Sequence, residues 1–302
     1  MNTFVNDFKS VWNRPNNIVP RLIIINVAIF VLSALVYLVC KYTGNIGFYQ
    51  QYIFRNYALP PDIVDFLFHP WTLVTYFFSH SINDFLHIIF NMLLLYWFGD
   101  LLGQMIGERK VLALYVLGGL AGGLIYLLSY NLIPPLVAAK GGVSGLVGAS
   151  ASVYAIIIAL ATLSPDYKVP LLLFGPVKLK YIAIVPVAFS LFGIAGPNAG
   201  GNIAHLGGAL IGFVYIRSMQ KGNDIGRPIL STLDFLAGLF SKKPRLKVTK
   251  NKKYTNATAT DSNGMPDQKI IDAILDKISE SGYEKLSKEE KELLFKASQK
   301  KH

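Results

Sequence analysis

The sequence predicts an all-α membrane protein, a bundle of six transmembrane helices followed by a cytoplasmic C-terminal helical hairpin. Three observations carry this. Hydrophobic residues make up 52% of the 302 residues, charged residues only 16%, and mean hydropathy is +0.41, a membrane composition. Six apolar stretches recur between residues 22 and 216. The basic excess behind the net charge of +11 lies in the C-terminal third, after those stretches end. Such a block beside a membrane domain points to anionic lipid and argues against a nucleic-acid partner. Cys40 is the single cysteine, so no intrachain disulfide forms, and no cysteine cluster suggests a metal site. No cofactor is expected.

The layout follows from composition. Residues 1–19 precede the first apolar run. Phe4, Phe8, Val11 and Trp12 share one helical face and Pro15 ends it, which fits an interfacial helix or a cap on the first span. Residues 20–217 form the membrane domain, 218–265 a juxtamembrane basic linker and 266–302 a small helical hairpin.

The first span runs over residues 22–40, uncharged and too long for a signal peptide. Residues 43–70 make a long connection with an apolar patch at 63–68, and a loop of this length is usually structured or functional. The second span, 85–102, carries His87 and Asn91, four residues apart and so on one face. The third, 111–130, has Gly118, Gly119, Gly122 and Gly123, a thin face for close packing. The fourth, 146–163, holds Ser150 and Tyr154 on one face, with Pro165 beyond it. The fifth, 181–194, is kinked by Pro186. A glycine-rich loop, 196–201, leads to the sixth span, 203–216, where Gly208 and Gly212 form a GxxxG packing motif.

In the tail, residues 228–240 suit a helix on the inner leaflet. Residues 242–253 are basic without an acid, an anionic-lipid patch or a solvated linker, and 254–265 are a polar linker. Asp267 is placed to cap a helix with Ile270, Ile271, Ile274 and Ile278 on its apolar stripe, stopping at Gly282. Ser287 and Glu290 make a capping box for a second helix with Leu293, Leu294 and Phe295. The hairpin is free to dock on itself, on the membrane or on a partner.

Six spans put both termini on one side. Lys9, Arg14, Arg21, Arg109, Lys110, Lys168, Lys178 and Lys180 share that side, which the positive-inside rule makes cytoplasmic. With no transit-like leader evident, a plain cell membrane is expected. His87, Ser150 and His205 then converge at one depth near the non-cytoplasmic ends of spans two, four and six. Ionisable groups within spans are costly and usually functional. Each motif taken singly also fits a polar or small-residue helix contact.

Three motifs together carry a resemblance. His87-x-x-x-Asn91, Gly148-Ala149-Ser150 with Tyr154, and Ala204-His205-x-x-Gly208-x-x-x-Gly212 fall in this order on spans two, four and six. Residues 20–217 resemble the rhomboid family of intramembrane serine proteases. The resemblance implies a six-helix bundle with a water-filled cavity opening outward, and cleavage of transmembrane protein substrates near their outer ends. It implies Ser150 as nucleophile and His205 as general base, with Tyr154 packed on the imidazole. It assigns the oxyanion hole to Asn91, His87 and the Ser150 backbone N–H. Gly142-Val143-Ser144-Gly145 matches the family's Gly-x-Ser-Gly wording better, yet only Ser150 has an aromatic four residues on. Ala151 replaces the family's usual glycine and is expected to add a methyl beside the nucleophile. Thr72 stands where the family carries a loop-anchoring arginine, and Gly103 where many members carry a helix-holding glutamate. A non-catalytic rhomboid-like protein that binds membrane helices is the alternative. Substrate identity and oligomeric state are not legible.

Overall fold

The computed structural model describes residues 17–171, 174–240 and 268–298, with short pieces at 6, 9–10 and 12–14. The expected N-terminal helix residues Phe4, Phe8 and Val11, the basic stretch 242–253, the linker 254–265 and the cap Asp267 lie outside the described residues. The chain divides into two compact units, Met1–Lys242 and Lys243–His302.

The first unit is built from seven main helices: α1 (Ile18–Tyr42), α2 (Phe85–Ile106), α3 (Glu108–Leu132), α4 (Ser150–Leu163), α5 (Leu179–Gly193), α6 (Ala199–Gln220) and α7 (Arg227–Phe240). Among the described residues, α1, α2, α3 and α6 are long and apolar enough to cross a membrane, while α4 and α5 are shorter apolar helices. Between α4 and α5 two short antiparallel strands, β1 (Lys168–Leu171) and β2 (Gly175–Lys178), pair Lys168 with Lys178 and Val169 with Val177.

Several boundaries differ from the sequence reading: the second helix runs on to Ile106 rather than ending at 102, and two others lie next to the site. The fourth helix begins at Ser150, not at residue 146, because Leu146 pairs with Leu59 as an isolated β-bridge and Gly148 takes φ +130°. The sixth helix begins at Ala199, so the last part of the predicted glycine loop is already helical.

At the centre, α4 packs between α3 and α6. Its residues Ala151, Val153, Ala155, Ile156, Ala159 and Leu160 are all buried, as expected of a helix apolar on every side. Small residues set the spacing. A Cβ added at Gly122 would lie 2.6 Å from the Ala151 methyl, and one at Gly118 would lie 2.6 Å from the Ala155 methyl. A Cβ at Gly208 would collide with the Ala151 carbonyl oxygen, and one at Gly212 with that of Ala155. In lipid, helix association rests on such van der Waals contact, because the surrounding tails are as apolar as the helices.

Polar ties fix the outer helices. Asn26 of α1 is buried and hydrogen-bonds the Tyr115 hydroxyl of α3 at 3.0 Å, and that hydroxyl donates to the Phe77 carbonyl at 2.7 Å. The Glu108 carboxylate accepts the Ile18 backbone N–H, joining the start of α3 to the start of α1. An acid that ties helices is thus present at Glu108, a position the sequence reading passed over, with Gly103 packed against its side chain. Without an arginine at 72, the loop before α2 is anchored by Tyr76, whose hydroxyl donates to the Gly119 carbonyl at 2.5 Å. Lys140 pairs with Asp62 at 2.6 Å, and this hydrogen bond holds the Asp62 carboxyl below its usual range.

Helix α5 is lightly embedded. It buries only Leu179, Ala183 and Ser190, and exposes Ile184, Val185, Phe189, Leu191 and Phe192. Helix α7 is held by Arg109 of α3, whose guanidinium donates to both Asp234 carboxylate oxygens, and it exposes Phe235, Leu236 and Leu239.

The second unit is a helical hairpin, α8 (Gln268–Ser281) and α9 (Lys288–Ser298). Gly282 stops α8 at φ +82°, a conformation costly for any residue with a Cβ. The Ser287 backbone N–H donates to Glu290, and the Glu290 N–H donates to the Ser287 hydroxyl, a reciprocal capping box. Ile274 and Leu286 are buried, and Phe295 is exposed.

Candidate active site

The site is organised by the turn into α4. Gly148 lets the chain bend sharply where no side chain fits: a Cβ there would lie 2.7 Å from the His87 ring. Its N–H donates to the Tyr76 carbonyl at 3.0 Å. Two residues later Ser150 opens α4, so its side chain sits at a helix start rather than inside a continuous rod.

His205 lies on α6 with Nε2 2.7 Å from Ser150 Oγ. Tyr154 lies one turn beyond Ser150 on α4. Its ring stacks on the imidazole with centroids 4.3 Å apart and planes 17° from parallel. The other imidazole nitrogen, Nδ1, lies 3.1 Å from the hydroxyl of Ser190 on α5. Ser190 is fully buried and donates to the Tyr154 hydroxyl at 3.0 Å, and that hydroxyl donates to the Pro186 carbonyl at 3.1 Å.

A cleft of about 400 Å³ opens beside this pair. Its lining includes Asp84, His87, Phe90, Asn91, Ser150 and Tyr154. The Asp84 side chain caps α2 by accepting the His87 N–H at 3.1 Å. Asn91 is buried and donates one amide hydrogen to the His87 carbonyl at 2.8 Å, leaving the other for a ligand. Four of the seven residues singled out from sequence, Ser150, His87, Asn91 and Tyr154, thus line one cleft, and His205 joins them through its contact with Ser150. Gly208 and Gly212 lie apart from it, in the α4–α6 contact. Ser144 is exposed in the stretch before α4 and does not line this cleft.

The Ala151 side chain does not line the cleft beside Ser150; its methyl faces Gly122 of α3. Two polar residues escaped the sequence reading. Ser190 gave no signal, being one serine in an apolar helix. His80 is buried with its ring 5.4 Å from His87, and the Ala149 N–H points to its Nε2 at 3.5 Å. A histidine after Phe77-Phe78-Ser79 was its only trace in the sequence.

Chemically, a hydroxyl hydrogen-bonded to an imidazole nitrogen has the arrangement a serine nucleophile and its base require. Amide and imidazole donors across the cleft suit an oxyanion. Among the described residues no group of three or more potential ligands is arranged to hold a metal ion.

Comparison with known proteins bears on the same residues. The family model described as Rhomboid domain matches residues 68–221, just over half of the chain. A second model, described as a family of unknown function (DUF6576), matches residues 262–300. The chain is 29% identical over 216 residues to RHOMBOID-like protein 12, mitochondrial, of Arabidopsis thaliana, covering 68% of this chain and 59% of that protein. It is 29% identical over 203 residues to Rhomboid protein 1, mitochondrial, of Saccharomyces cerevisiae, covering 67% and 53%. It is 29% identical over 145 residues to Presenilin-associated rhomboid-like protein A, mitochondrial, of Danio rerio, covering 46% and 35%. The chain therefore matches roughly a third to three-fifths of the length of these relatives. The expected home in a plain cell membrane with cytoplasmic termini is corrected by these names, all three of which are mitochondrial. The lysine and arginine asymmetry distinguishes two sides of a bilayer but carries no mark of which bilayer. The chain is a multi-pass membrane protein, and it belongs to the rhomboid family.

Proposed function

We propose that this protein is an intramembrane serine endopeptidase that cuts transmembrane protein substrates near one membrane surface. The observation that carries the reading is the 2.7 Å contact between Ser150 Oγ and His205 Nε2, in a cleft shared with Asn91 and His87. In this reading α1–α6 form six spans, with α4 and α5 recessed. Residues 20–217 are the catalytic domain and 266–302 an appended module. The mitochondrial names of the relatives favour a mitochondrial membrane.

Ser150 Oγ attacks the scissile carbonyl while His205 Nε2 takes its proton. The oxyanion is met by the Asn91 amide, the His87 imidazole and the Ser150 backbone N–H. Collapse breaks the C–N bond, His205 returns the proton to the leaving amine, and Ser150 is left acylated. Water then attacks the ester, giving its proton to His205, and release of the acid restores the serine.

A helical substrate has its peptide groups already hydrogen-bonded, so it must unwind to reach Ser150. Segments with Gly, Pro or polar residues near the membrane surface meet that need. Helix α5, with its internal Pro186 and sparse burial, is the element suited to move aside and admit them.

The test is cleavage of a model single-span reporter together with labelling by a serine-directed fluorophosphonate. Cleavage and labelling that both depend on Ser150 support the reading. A well-folded wild type that cuts no reporter and takes up no probe moves the chain to the non-catalytic, helix-binding class.

A further inference from the structure

We propose that Ser190 is a positioning residue that sets the tautomer of His205, through a directed chain of hydrogen bonds anchored on the Pro186 carbonyl. The inference rests on the reading of Ser150 and His205 as nucleophile and base.

The argument is a count of hydrogens. Four contacts run in series: Ser150 Oγ to His205 Nε2 at 2.7 Å, His205 Nδ1 to Ser190 Oγ at 3.1 Å, Ser190 Oγ to Tyr154 hydroxyl at 3.0 Å, and Tyr154 hydroxyl to Pro186 oxygen at 3.1 Å. A carbonyl only accepts, so Tyr154 must spend its one hydrogen on Pro186. Ser190 must then supply the hydrogen between itself and Tyr154, since two oxygens 3.0 Å apart with none between them repel. With its own hydrogen committed, Ser190 Oγ can only accept from His205. The proton of the neutral ring therefore sits on Nδ1. Nε2 keeps its lone pair and faces Ser150, which is the tautomer a general base requires.

The reverse direction is closed off at both ends. A proton on Nε2 would point at Ser150 Oγ and leave the base without a lone pair there. It would also ask Ser190 to donate to Nδ1 and strand the Tyr154 contact. Ser190 is 1% exposed, so no bulk water substitutes for the missing partner. Among the described residues no carboxylate is hydrogen-bonded to Nδ1, so an uncharged hydroxyl does the orienting that an acid does in a triad.

The placement also couples the dyad to α5. Both Pro186 and Ser190 belong to that helix, whereas Ser150 and Tyr154 belong to α4 and His205 to α6. Displacement of α5 breaks the chain at three links and frees the tautomer. Its return after substrate entry restores the reactive form.

The test uses the full chain in nanodiscs with ¹⁵N-labelled histidine, the His205 signals being identified by their loss in His205→Gln. Wild type is expected to show a protonated Nδ1 and a bare Nε2. Ser190→Ala is expected to move the proton toward Nε2 and to lower kcat about tenfold with KM little changed, the scale of one hydrogen bond. Ser190→Thr, which keeps the hydroxyl, is expected to restore both. If Ser190→Ala does not fold, Tyr154→Phe cuts the chain at its next link and is expected to mix the tautomers while keeping the ring stack. A wild-type His205 protonated on Nε2 overturns the proposal. So does a Ser190→Ala protein with an unchanged tautomer and a rate within about twofold of wild type. Absence of all serine-dependent chemistry in the wild type would sink the protease reading instead, and the ¹⁵N signals would still decide the role of Ser190.

Discussion

The Tyr154 ring lies face to face with the His205 imidazole, 4.3 Å between centroids and 17° from parallel. The two residues come from different helices, so the stack holds the imidazole plane against rotation where, among the described residues, no acid is bonded to it. Tyr154→Ala is expected to lower kcat about tenfold through loss of that contact, in line with aromatic pair energies of about 0.5–1.5 kcal/mol. Tyr154→Leu, which restores bulk but not a flat face, is expected to recover little. Steady-state cleavage of the reporter checks both.

Removing the proposed nucleophile or base should be far more severe. Ser150→Ala and His205→Ala are each expected to lower turnover by more than about 10³-fold, as for members of a catalytic unit, while melting normally. Ser144→Ala is expected to cleave like wild type, since that serine lies outside the cleft. Reporter cleavage and fluorophosphonate labelling across the three variants decide the register. Loss of activity in Ser144→Ala alone would reassign the nucleophile.

Across the cleft, Asn91→Ala is expected to reduce kcat by about 10²–10³-fold with a smaller change in KM, because an oxyanion donor acts mainly in the transition state. His87→Ala is expected to act in the same sense. An effect confined to KM would show that these side chains only bind substrate.

The glycine contacts make a stability prediction. Gly208→Ala drives a methyl into the Ala151 carbonyl and is expected to destabilise the bundle by about 1–3 kcal/mol, the usual cost of overpacking. In the Asn26–Tyr115 pair, a double-mutant cycle with Asn26→Ala and Tyr115→Phe is expected to give a coupling near 0.6 kcal/mol. Unfolding in detergent reports both.

Outside the membrane, Lys180 and Lys178 donate to Asp166 at 2.8 and 2.9 Å and hold its carboxyl down at about 2. Because the folded value lies below the ordinary one of about 3.9, the pairing is fully present above pH 4 and is lost as pH falls through about 2. The side-chain carboxyl shift of Asp166 followed by NMR should titrate near that value. In Lys178→Ala/Lys180→Ala it should move up toward the ordinary range. A midpoint near 4 in the wild type would show that the lysines do not hold it.

The sequence by itself determined the membrane class, the order of the helices and the family. Each rests on one-dimensional information: hydropathy over a span, charge asymmetry between loops, and His87, Asn91, Ser150 and His205 in order on alternate apolar runs. Tail features such as the Ser287–Glu290 capping box are equally local and were legible for that reason. Other features needed the third dimension. That α4 starts at Ser150 depends on Leu59, distant in sequence, pairing with Leu146. That the Ala151 methyl faces Gly122 follows from how α3 and α4 pack, as does the joining of Glu108 to the start of α1. Ser190 is the clearest case. A serine among Ala188, Phe189 and Leu191 carries no pattern, and it gains meaning only when α5 is laid beside α4 and α6, bringing its hydroxyl between His205 and Tyr154. Hydropathy and periodicity record what each residue does to its own helix, whereas hydrogen bonds between helices are made by partners the local sequence does not encode.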